Sequence, residues 1–247
     1  LAHLTPLSLP RRPDPKFFSR GLWLGVDRLG GLVFWNPEAV PNDHCVILGP
    51  MGTGKTTTLR HIAVVARLMR GLPVWVIDPA GEYVRVVERL GGRAVNLAEV
   101  KVNPLLLCGR DPASRASSVA ELLSYSVGLN EAEAALVGEE LLSLYRAAGV
   151  DEAEPRAWDD SKLEDVTIAR LYESLRARLS REVEPYRRLI LQSALGKLAK
   201  LALGARAFDS TGVKPWNLLN ETCCFVLRDL DPDARKVAVW TLLEQLY

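Results

Sequence analysis

Several features that would narrow the class of protein are missing from this sequence. No apolar run approaches the roughly 18–20 residues that a membrane-spanning helix needs, so no transmembrane segment is predicted. Only 4 cysteines and 3 histidines occur in 247 residues, and without a CxxC pair or clustered histidines they predict no metal site. The formal net charge is only +1, so the chain lacks the overall basic excess that is typical of nucleic-acid binders.

What remains is an ordinary globular composition, with 48% hydrophobic and 25% charged residues, which is enough to build a buried core. Residues 1–20 are basic and interrupted by prolines, which predicts an extended arm or linker. Because the chain starts at Leu1 rather than at Met, we expect it to be part of a longer protein.

The segment after the arm carries the signals of an α/β fold. Residues 21–36 alternate around a Gly-Gly pair, which predicts a β-hairpin. The apolar run "HCVIL" (44–48) predicts a buried strand, and the residues that follow the next glycines show helical spacing up to Gly71. "LPVWVIDP" (72–79) and "GGRAVNL" (91–97) predict two further strands. Continuous apolar runs of this kind are typical of a parallel sheet that is covered on both faces.

Residues 111–205 differ in composition, being rich in Ala, Leu, Glu and Arg, and they predict an inserted helical subdomain. "DEAEPRAWDDSKLED" (151–165) divides the insert into two helical groups, "TCCFVL" (222–227) predicts another strand, and residues 233–247 predict a helix. We therefore predict an α/β fold with a mainly parallel sheet plus a helical insert. Its parts are the arm (1–20), the first part of the core (21–110), the insert (111–205) and the return to the core (206–247).

A glycine-rich loop is the most specific motif in the chain. Gly49, Gly54, Lys55 and Thr56 satisfy the pattern G-x-x-x-x-G-K-[ST]. Glycines let such a loop curl so that its backbone N–H groups converge on an anion, and the helix that follows points its positive end at the same place. The pattern predicts that Lys55 reaches the β- and γ-phosphates of ATP and that the Thr56 hydroxyl ligates Mg²⁺. The predicted nucleotide-binding residues are Gly49, Pro50, Met51, Gly52, Thr53, Gly54, Lys55, Thr56 and Thr57.

A second acidic element follows about twenty residues after Lys55, in "VWVIDPAGEY". A carboxylate at the end of a parallel strand faces the crevice where ligands bind. In one interpretation Asp78 is a magnesium ligand and Glu82 polarises the attacking water, which makes Lys55, Asp78 and Glu82 the candidate catalytic residues. In a second, the acidic pair that acts in catalysis lies on a later strand. In a third, Asp78 only ends a strand and Glu82 caps the next helix.

These motifs, in this order, resemble the HerA–FtsK superfamily of DNA-pumping ATPases, and most of all its conjugation branch, the TraC/TrbE-like type IV secretion ATPases. A narrower similarity is to archaeal DNA-import ATPases of the same group, on the Arg-rich composition and the compact insert. The "FDSTG" at 208–212 and the "FVLRDL" at 225–230 also fit this branch. The matching positions after the glycine loop are Asp78-Pro79, Glu82-Tyr83, Gly91-Gly92 and Asn103-Pro104.

The resemblance implies a RecA-like core, ATP hydrolysis with Mg²⁺ and a homo-hexameric ring that moves DNA or protein. It also implies membrane-embedded secretion or import channel proteins as partners, and a cytoplasmic location at or near the inner face of the cell membrane. Members of the family carry a further strand ending in Asp-Glu after the last helix, whereas this chain stops at Tyr247. We therefore expect this stretch of sequence to bind nucleotide and to hydrolyse it poorly.

Two other function classes are compatible with the same loop. One is a small-molecule kinase, in which the helical insert would serve as a lid over the phosphates. The other is a scaffold that binds ATP without turnover. A GTP switch is disfavoured, because the base-reading Asn-Lys-x-Asp tetrapeptide does not occur in the chain.

Overall fold

The computed structural model describes residues 21–27, 29–36, 44–99, 102–151, 158–204, 208, 218 and 220–246. The predicted arm (1–20) and residues 209–212 of "FDSTG" lie outside this part of the chain. In chain order the elements are β1 (Leu22–Val26), β2 (Leu32–Trp35), α1 (Lys55–Arg70), β3 (Trp75–Asp78), α2 (Val84–Arg89), β4 (Arg93–Asn96), α3 (Pro112–Val127), α4 (Glu131–Ala147), a 3₁₀ helix (Asp160–Leu163), α5 (Ile168–Arg181), α6 (Pro185–Gly204), β5 (Cys223–Val226) and α7 (Pro232–Leu246).

The chain divides into two compact units. The first consists of Leu1–Val76, Glu82–Ala94 and Asn220–Cys224, and the second of Ile77–Gly81, Val95–Leu219 and Phe225–Tyr247. The hairpin strands and helices α1 and α2 therefore belong to the first unit, whereas helices α3 to α7 belong to the second.

The predicted hairpin is confirmed, because β1 and β2 pair in antiparallel orientation. The Asp27 carboxylate closes the turn by accepting the backbone N–H of Leu29 and of Gly31, both at 2.8 Å. Helix α1 packs against β1. The core of this unit contains buried Leu22, Val65 and Ala66 with the partly buried Trp35, Ile62 and Val74 against them.

Helix α1 begins and ends where the sequence predicts. Gly71 adopts the left-handed conformation at φ 65°, which L side chains disfavour and which glycine adopts at no cost. Its N–H donates to the carbonyl of Arg67 at 3.1 Å, and the N–H of Leu72 donates to the carbonyl of Ala66 at 3.2 Å. These two hydrogen bonds satisfy carbonyl groups that the last turn would otherwise leave unpaired.

Strands β3, β5 and β4 form a three-stranded sheet in that order. The N–H of Cys223 donates to the carbonyl of Val74 at 2.9 Å, and four residues further on both strands Leu227 donates to Asp78 at 3.1 Å. Because both partners advance in the same direction, the strands are parallel. All four residues of the central strand β5 are buried, as predicted for a strand that is covered on both faces. The outer strands β3 and β4 are more exposed.

The prediction of a strand over "HCVIL" is wrong. Residues 44–50 form no strand, and the side chains of Val46 and Leu48 are 78% and 80% exposed. A strand needs a neighbour for its N–H and C=O groups, and within the described ranges neither sheet includes these residues.

The described residues of the predicted insert form four α-helices and a 3₁₀ helix between residues 112 and 204. Its separation from the core as a subdomain stays a prediction. Asp111, Asn130 and Thr167 cap α3, α4 and α5 by accepting backbone N–H groups of the first turns. Helix α4 packs against α3, α5 and α6, and α3 packs against α7. The break between the two helical groups contains the 3₁₀ helix Asp160–Leu163, as the composition of that stretch suggested.

The Asn-Pro pair after β4 has a structural role. Asn103 is buried, donates from Nδ2 to the carbonyl of Val166 at 2.8 Å and accepts the N–H of Leu105 at 2.9 Å. The Tyr145 hydroxyl donates to the carbonyl of Leu105 at 2.6 Å. These bonds fasten the segment after β4 to the helical insert, because its buried backbone groups need partners there.

Candidate nucleotide site

The glycine-rich loop between residues 49 and 54 leads directly into α1. Gly52 and Gly54 have φ of 80° and 91°, so the loop uses a left-handed backbone at two of its glycines. A Cβ on Gly49 would lie 2.7 Å from the Thr53 hydroxyl oxygen, so a side chain there would force Thr53 to move. Thr53 in turn donates to the carbonyl of Pro50 at 2.8 Å. The loop is therefore a compact turn whose shape depends on its glycines.

Lys55 folds back over this turn. Its Nζ donates to the carbonyl oxygens of Gly49 and Pro50 at 2.7 and 2.6 Å. The ammonium group therefore lies above the loop opening, held by two backbone carbonyls on the loop itself. With an anion bound in the loop, Lys55 would donate to the anion instead of to these neutral carbonyls. Hydrogen bonds between two charged groups are stronger than hydrogen bonds to neutral acceptors.

The first turn of α1 adds further N–H groups next to the loop. Its N-cap is Gly54, which offers no side-chain acceptor to the helix. The first intrahelical bond runs from the N–H of Thr58 to the carbonyl of Gly54 at 2.9 Å. The amides before Thr58 lack intrahelical carbonyl partners, as in every α-helix, and together with the helix dipole they favour an anion.

These residues fit a triphosphate and its metal ion. Loop and helix amides would hold the phosphate oxygens, Lys55 would neutralise their charge, and the Thr56 hydroxyl is of the oxygen type that Mg²⁺ prefers. Met51 is 99% exposed, so of the predicted contacts it can contribute only its backbone N–H. Within the described ranges no group of three or more His, Cys, Asp or Glu residues could hold a metal ion by itself.

Asp78 is placed at the carboxyl end of β3, as predicted, and it belongs to the second unit. Its side chain is 2% exposed, and Oδ1 accepts the N–H of Ala80 at 3.1 Å and of Gly81 at 2.9 Å. The carboxylate therefore shapes the turn that follows its strand. This observation supports the structural interpretation of Asp78 without testing its role as a metal ligand.

Glu82 lies in the first unit and is attached to α1 by an arginine that the sequence analysis did not single out. Arg60 Nη2 donates to the Glu82 carbonyl at 3.1 Å and pairs with the Glu82 carboxylate at 3.5 Å. The Arg60 guanidinium also lies 5.4 Å from the centre of the Tyr83 ring. The structure thus brings Glu82 to the helix that carries Lys55 and Thr56, whereas the Asp78 carboxylate accepts two N–H groups of its own turn.

Comparisons with known proteins agree with this fold. The family model described as "Helicase HerA, central domain" matches residues 36–204, well over half of the chain. The chain therefore belongs to the HerA helicase central-domain family, and the resemblance to the HerA–FtsK superfamily is confirmed.

Two individual proteins are similar to this chain. Over 78 residues the chain is 37% identical to the DNA import protein CedB of Sulfolobus acidocaldarius, a match that covers 30% of this chain and 13% of CedB. The structure of VirB4 of Thermoanaerobacter pseudethanolicus matches with a TM-score of 0.69 at 24% identity, covering 92% of this chain and 64% of that one. The chain thus spans only part of the length of either relative. The likeness to VirB4 confirms the predicted α/β fold.

Proposed function

We propose that this chain is the nucleotide-binding core of an ATP-driven motor that moves DNA, or protein, in a type IV secretion, conjugation or DNA-import system. One observation carries the proposal, namely the Lys55 ammonium held 2.6–2.7 Å from two loop carbonyls at the start of α1. Membership of the HerA central-domain family supports ATP as the nucleotide. The printed name of CedB supports DNA import as one setting.

In this proposal the loop from Gly49 to Thr57 binds ATP and Thr56 ligates Mg²⁺. Lys55 stabilises the negative charge that develops on the transferred phosphoryl group, and such placed charges account for much of the rate in phosphoryl transfer. Asp78 assists at the metal, and Glu82 polarises the attacking water. Bound ATP supplies the free energy that changes the packing between subunits.

The proposed assembly is a homo-hexamer in the cytoplasm, at the inner face of the cell membrane, in contact with membrane-embedded channel proteins. None of the described helices combines the length and the apolarity that crossing a bilayer requires. The assembly and its partners follow from the family resemblance. A motor of this kind predicts ATP turnover that rises with assembly and with added nucleic acid.

Calorimetric titration with Mg-ATP tests the proposal most directly. Lys55→Ala removes a charge-assisted contact worth about 1.5–3 kcal/mol, so we expect binding about 10–150-fold weaker than in the wild type. Lys162→Ala is the matched control, because Lys162 also donates to a backbone carbonyl, that of Gly149 at 3.2 Å, but outside the loop. Wild-type protein that takes up no Mg-ATP, or equal losses in both variants, would contradict the proposal.

Turnover then separates the motor from the other function classes. Phosphate release that DNA stimulates favours the motor, and transfer of the phosphoryl group to a small acceptor favours a kinase. Tight binding with no release under any condition, including added DNA, favours a scaffold.

A further inference from the structure

Arg60 makes three contacts with two consecutive residues of a distant segment. It reaches the Glu82 backbone carbonyl (3.1 Å), the Glu82 carboxylate (3.5 Å) and the face of the Tyr83 ring (5.4 Å). All three residues belong to the first unit. A single guanidinium thus contacts the backbone and the carboxylate of Glu82 and the ring of Tyr83, just after the turn that follows β3.

The place of Arg60 on its helix gives these contacts a direction. Arg60 comes four residues after Thr56 on α1, so both side chains lie on one face, about 6 Å apart along the axis. The same rigid helix therefore carries the candidate phosphate and metal ligands at its start and, one turn later, the residue that holds Glu82.

Arg60 directs its hydrogen bonds to Glu82 and leaves another of its N–H groups without a partner in the described part of the chain. The Arg60 Nε is buried and has no hydrogen-bond partner among the described residues, although a guanidinium can use all its N–H groups. Nη2 meanwhile serves both the carbonyl and the carboxylate of Glu82. The side chain is 38% exposed and that of Glu82 is 53% exposed, and ion pairs so exposed to solvent contribute little to folding. A role in stability alone therefore gives little reason for this arrangement.

We infer that Arg60 is a positioning residue that sets the place of Glu82 relative to the phosphate-binding end of α1. The inference rests on the proposed ATP-driven function. Nucleotide bound at the loop orders α1, and Arg60 transmits that order to Glu82 and Tyr83. Removal of Arg60 therefore affects the reaction through Glu82 and leaves phosphate binding intact.

A double-mutant cycle tests whether Arg60 acts through Glu82. The variants are Arg60→Ala, Glu82→Gln and the combination, with Arg60→Lys as the conservative replacement. Arg67→Ala is the matched control, since Arg67 lies on the same helix and its Nη1 donates to the carbonyl of Gly71 at its far end. Kd for Mg-ATP and kcat are measured for each variant, and a thermal unfolding curve confirms that each is folded.

We expect Arg60→Ala to lower kcat by about 10–100-fold, the scale on which a misplaced group of this kind costs activity. Kd should change by less than about threefold, because Arg60 does not reach the loop. In the Glu82→Gln background, Arg60→Ala should cause no further loss, since coupled residues are not additive. Arg60→Lys should restore most of the rate, and Arg67→Ala should equal the wild type.

Amide hydrogen exchange gives a second readout that does not need turnover. Mg-ATP should protect residues 49–58 in both wild type and Arg60→Ala, but residues 82–90 in the wild type alone. Three outcomes would overturn the inference and leave the proposed function standing. They are equal protection of residues 82–90 in both proteins, additive losses of kcat in the double-mutant cycle, or weaker Mg-ATP binding at unchanged kcat in Arg60→Ala. Absence of protection at 49–58 in the wild type would overturn the proposed function itself.

Discussion

Two arginines that share one acidic partner provide a direct test of how burial determines the value of an ion pair. Arg110 and Arg115 both bind Oε2 of Glu244, at 2.8 and 3.1 Å. The Arg110 side chain is 40% exposed, whereas that of Arg115 is 0% exposed. Arg115 also donates to the carbonyl of Pro104 at 2.8 Å and lies 5.0 Å from the Trp240 ring centre.

Distance and burial therefore predict opposite rankings of the two arginines by their contribution to stability. By distance alone, Arg110 is the stronger partner of Glu244. By burial, loss of Arg115 leaves a carbonyl without its donor inside the protein, and breaking a buried pair costs about 3–5 kcal/mol. Loss of a half-exposed partner such as Arg110 costs about 1 kcal/mol or less. We predict that Arg115→Ala lowers the free energy of unfolding by about 3–5 kcal/mol and Arg110→Ala by less than about 1 kcal/mol.

Urea unfolding, followed by far-UV circular dichroism and by tryptophan fluorescence, measures both effects. With an m-value of about 2–3 kcal/mol/M, the midpoint should fall by about 1–2.5 M in Arg115→Ala and by less than about 0.5 M in Arg110→Ala. Arg115→Met, which keeps most of the side-chain volume, separates packing from charge and should cost an intermediate amount. Equal shifts in the two alanine variants would refute the reasoning that burial outweighs distance here.

Two further predictions concern single carboxylates. Asp78→Asn retains an Oδ1 that can accept the N–H groups of Ala80 and Gly81, so its melting temperature should change little. Asp78→Ala should lower the free energy of unfolding by about 2 kcal/mol. If Asp78 also acts at the metal, both variants should weaken Mg²⁺-dependent ATP binding equally. Burial opposes the charge on Glu133, but the Lys197 ammonium 2.6 Å away, together with hydrogen bonds from Ser193 and from the Asn130 N–H, outweighs it and lowers the pKa of that carboxyl. The stability that ionised Glu133 contributes is therefore fully present above the unfolded-state pKa and is lost as pH falls through the lower folded-state pKa. The urea midpoints of wild type and Glu133→Gln should then converge as the pH is lowered. A difference between the midpoints that stays constant with pH would contradict the prediction.

Features that depend on neighbours in the chain could be predicted from the sequence. The glycine that ends α1 and the Gly-Gly turn of the hairpin act within a few residues, so composition and spacing indicate them. The "HCVIL" strand could not be judged in the same way. An apolar run of five residues is compatible with a strand, but whether it pairs depends on a neighbour that no local pattern identifies.

The same distinction applies to the candidate site. The loop from Gly49 to Thr56 has fixed spacing, so candidate phosphate-binding residues could be named from the sequence, and their role stays a prediction. The contact of Arg60 with Glu82 joins residues 22 positions apart, and the only local hint was that Arg60 lies one turn after Thr56. The turn made by Asp78 is local, yet the sequence could not decide between a turn-forming and a metal-binding carboxylate because both use the same oxygens.

A phosphate loop and a catalytic apparatus make different demands on the fold. Holding a phosphate requires one turn and the start of one helix, and both are contiguous in this chain. Catalysis also requires a carboxylate from another segment at a defined distance, and that distance depends on how the two segments are joined. In the first unit the described join is the Arg60 side chain, which reaches from α1 to Glu82 and Tyr83. Substitution of Arg60 should therefore lower the rate of ATP turnover and leave nucleotide binding nearly unchanged. This difference distinguishes a residue that positions a catalytic group from one that binds the substrate.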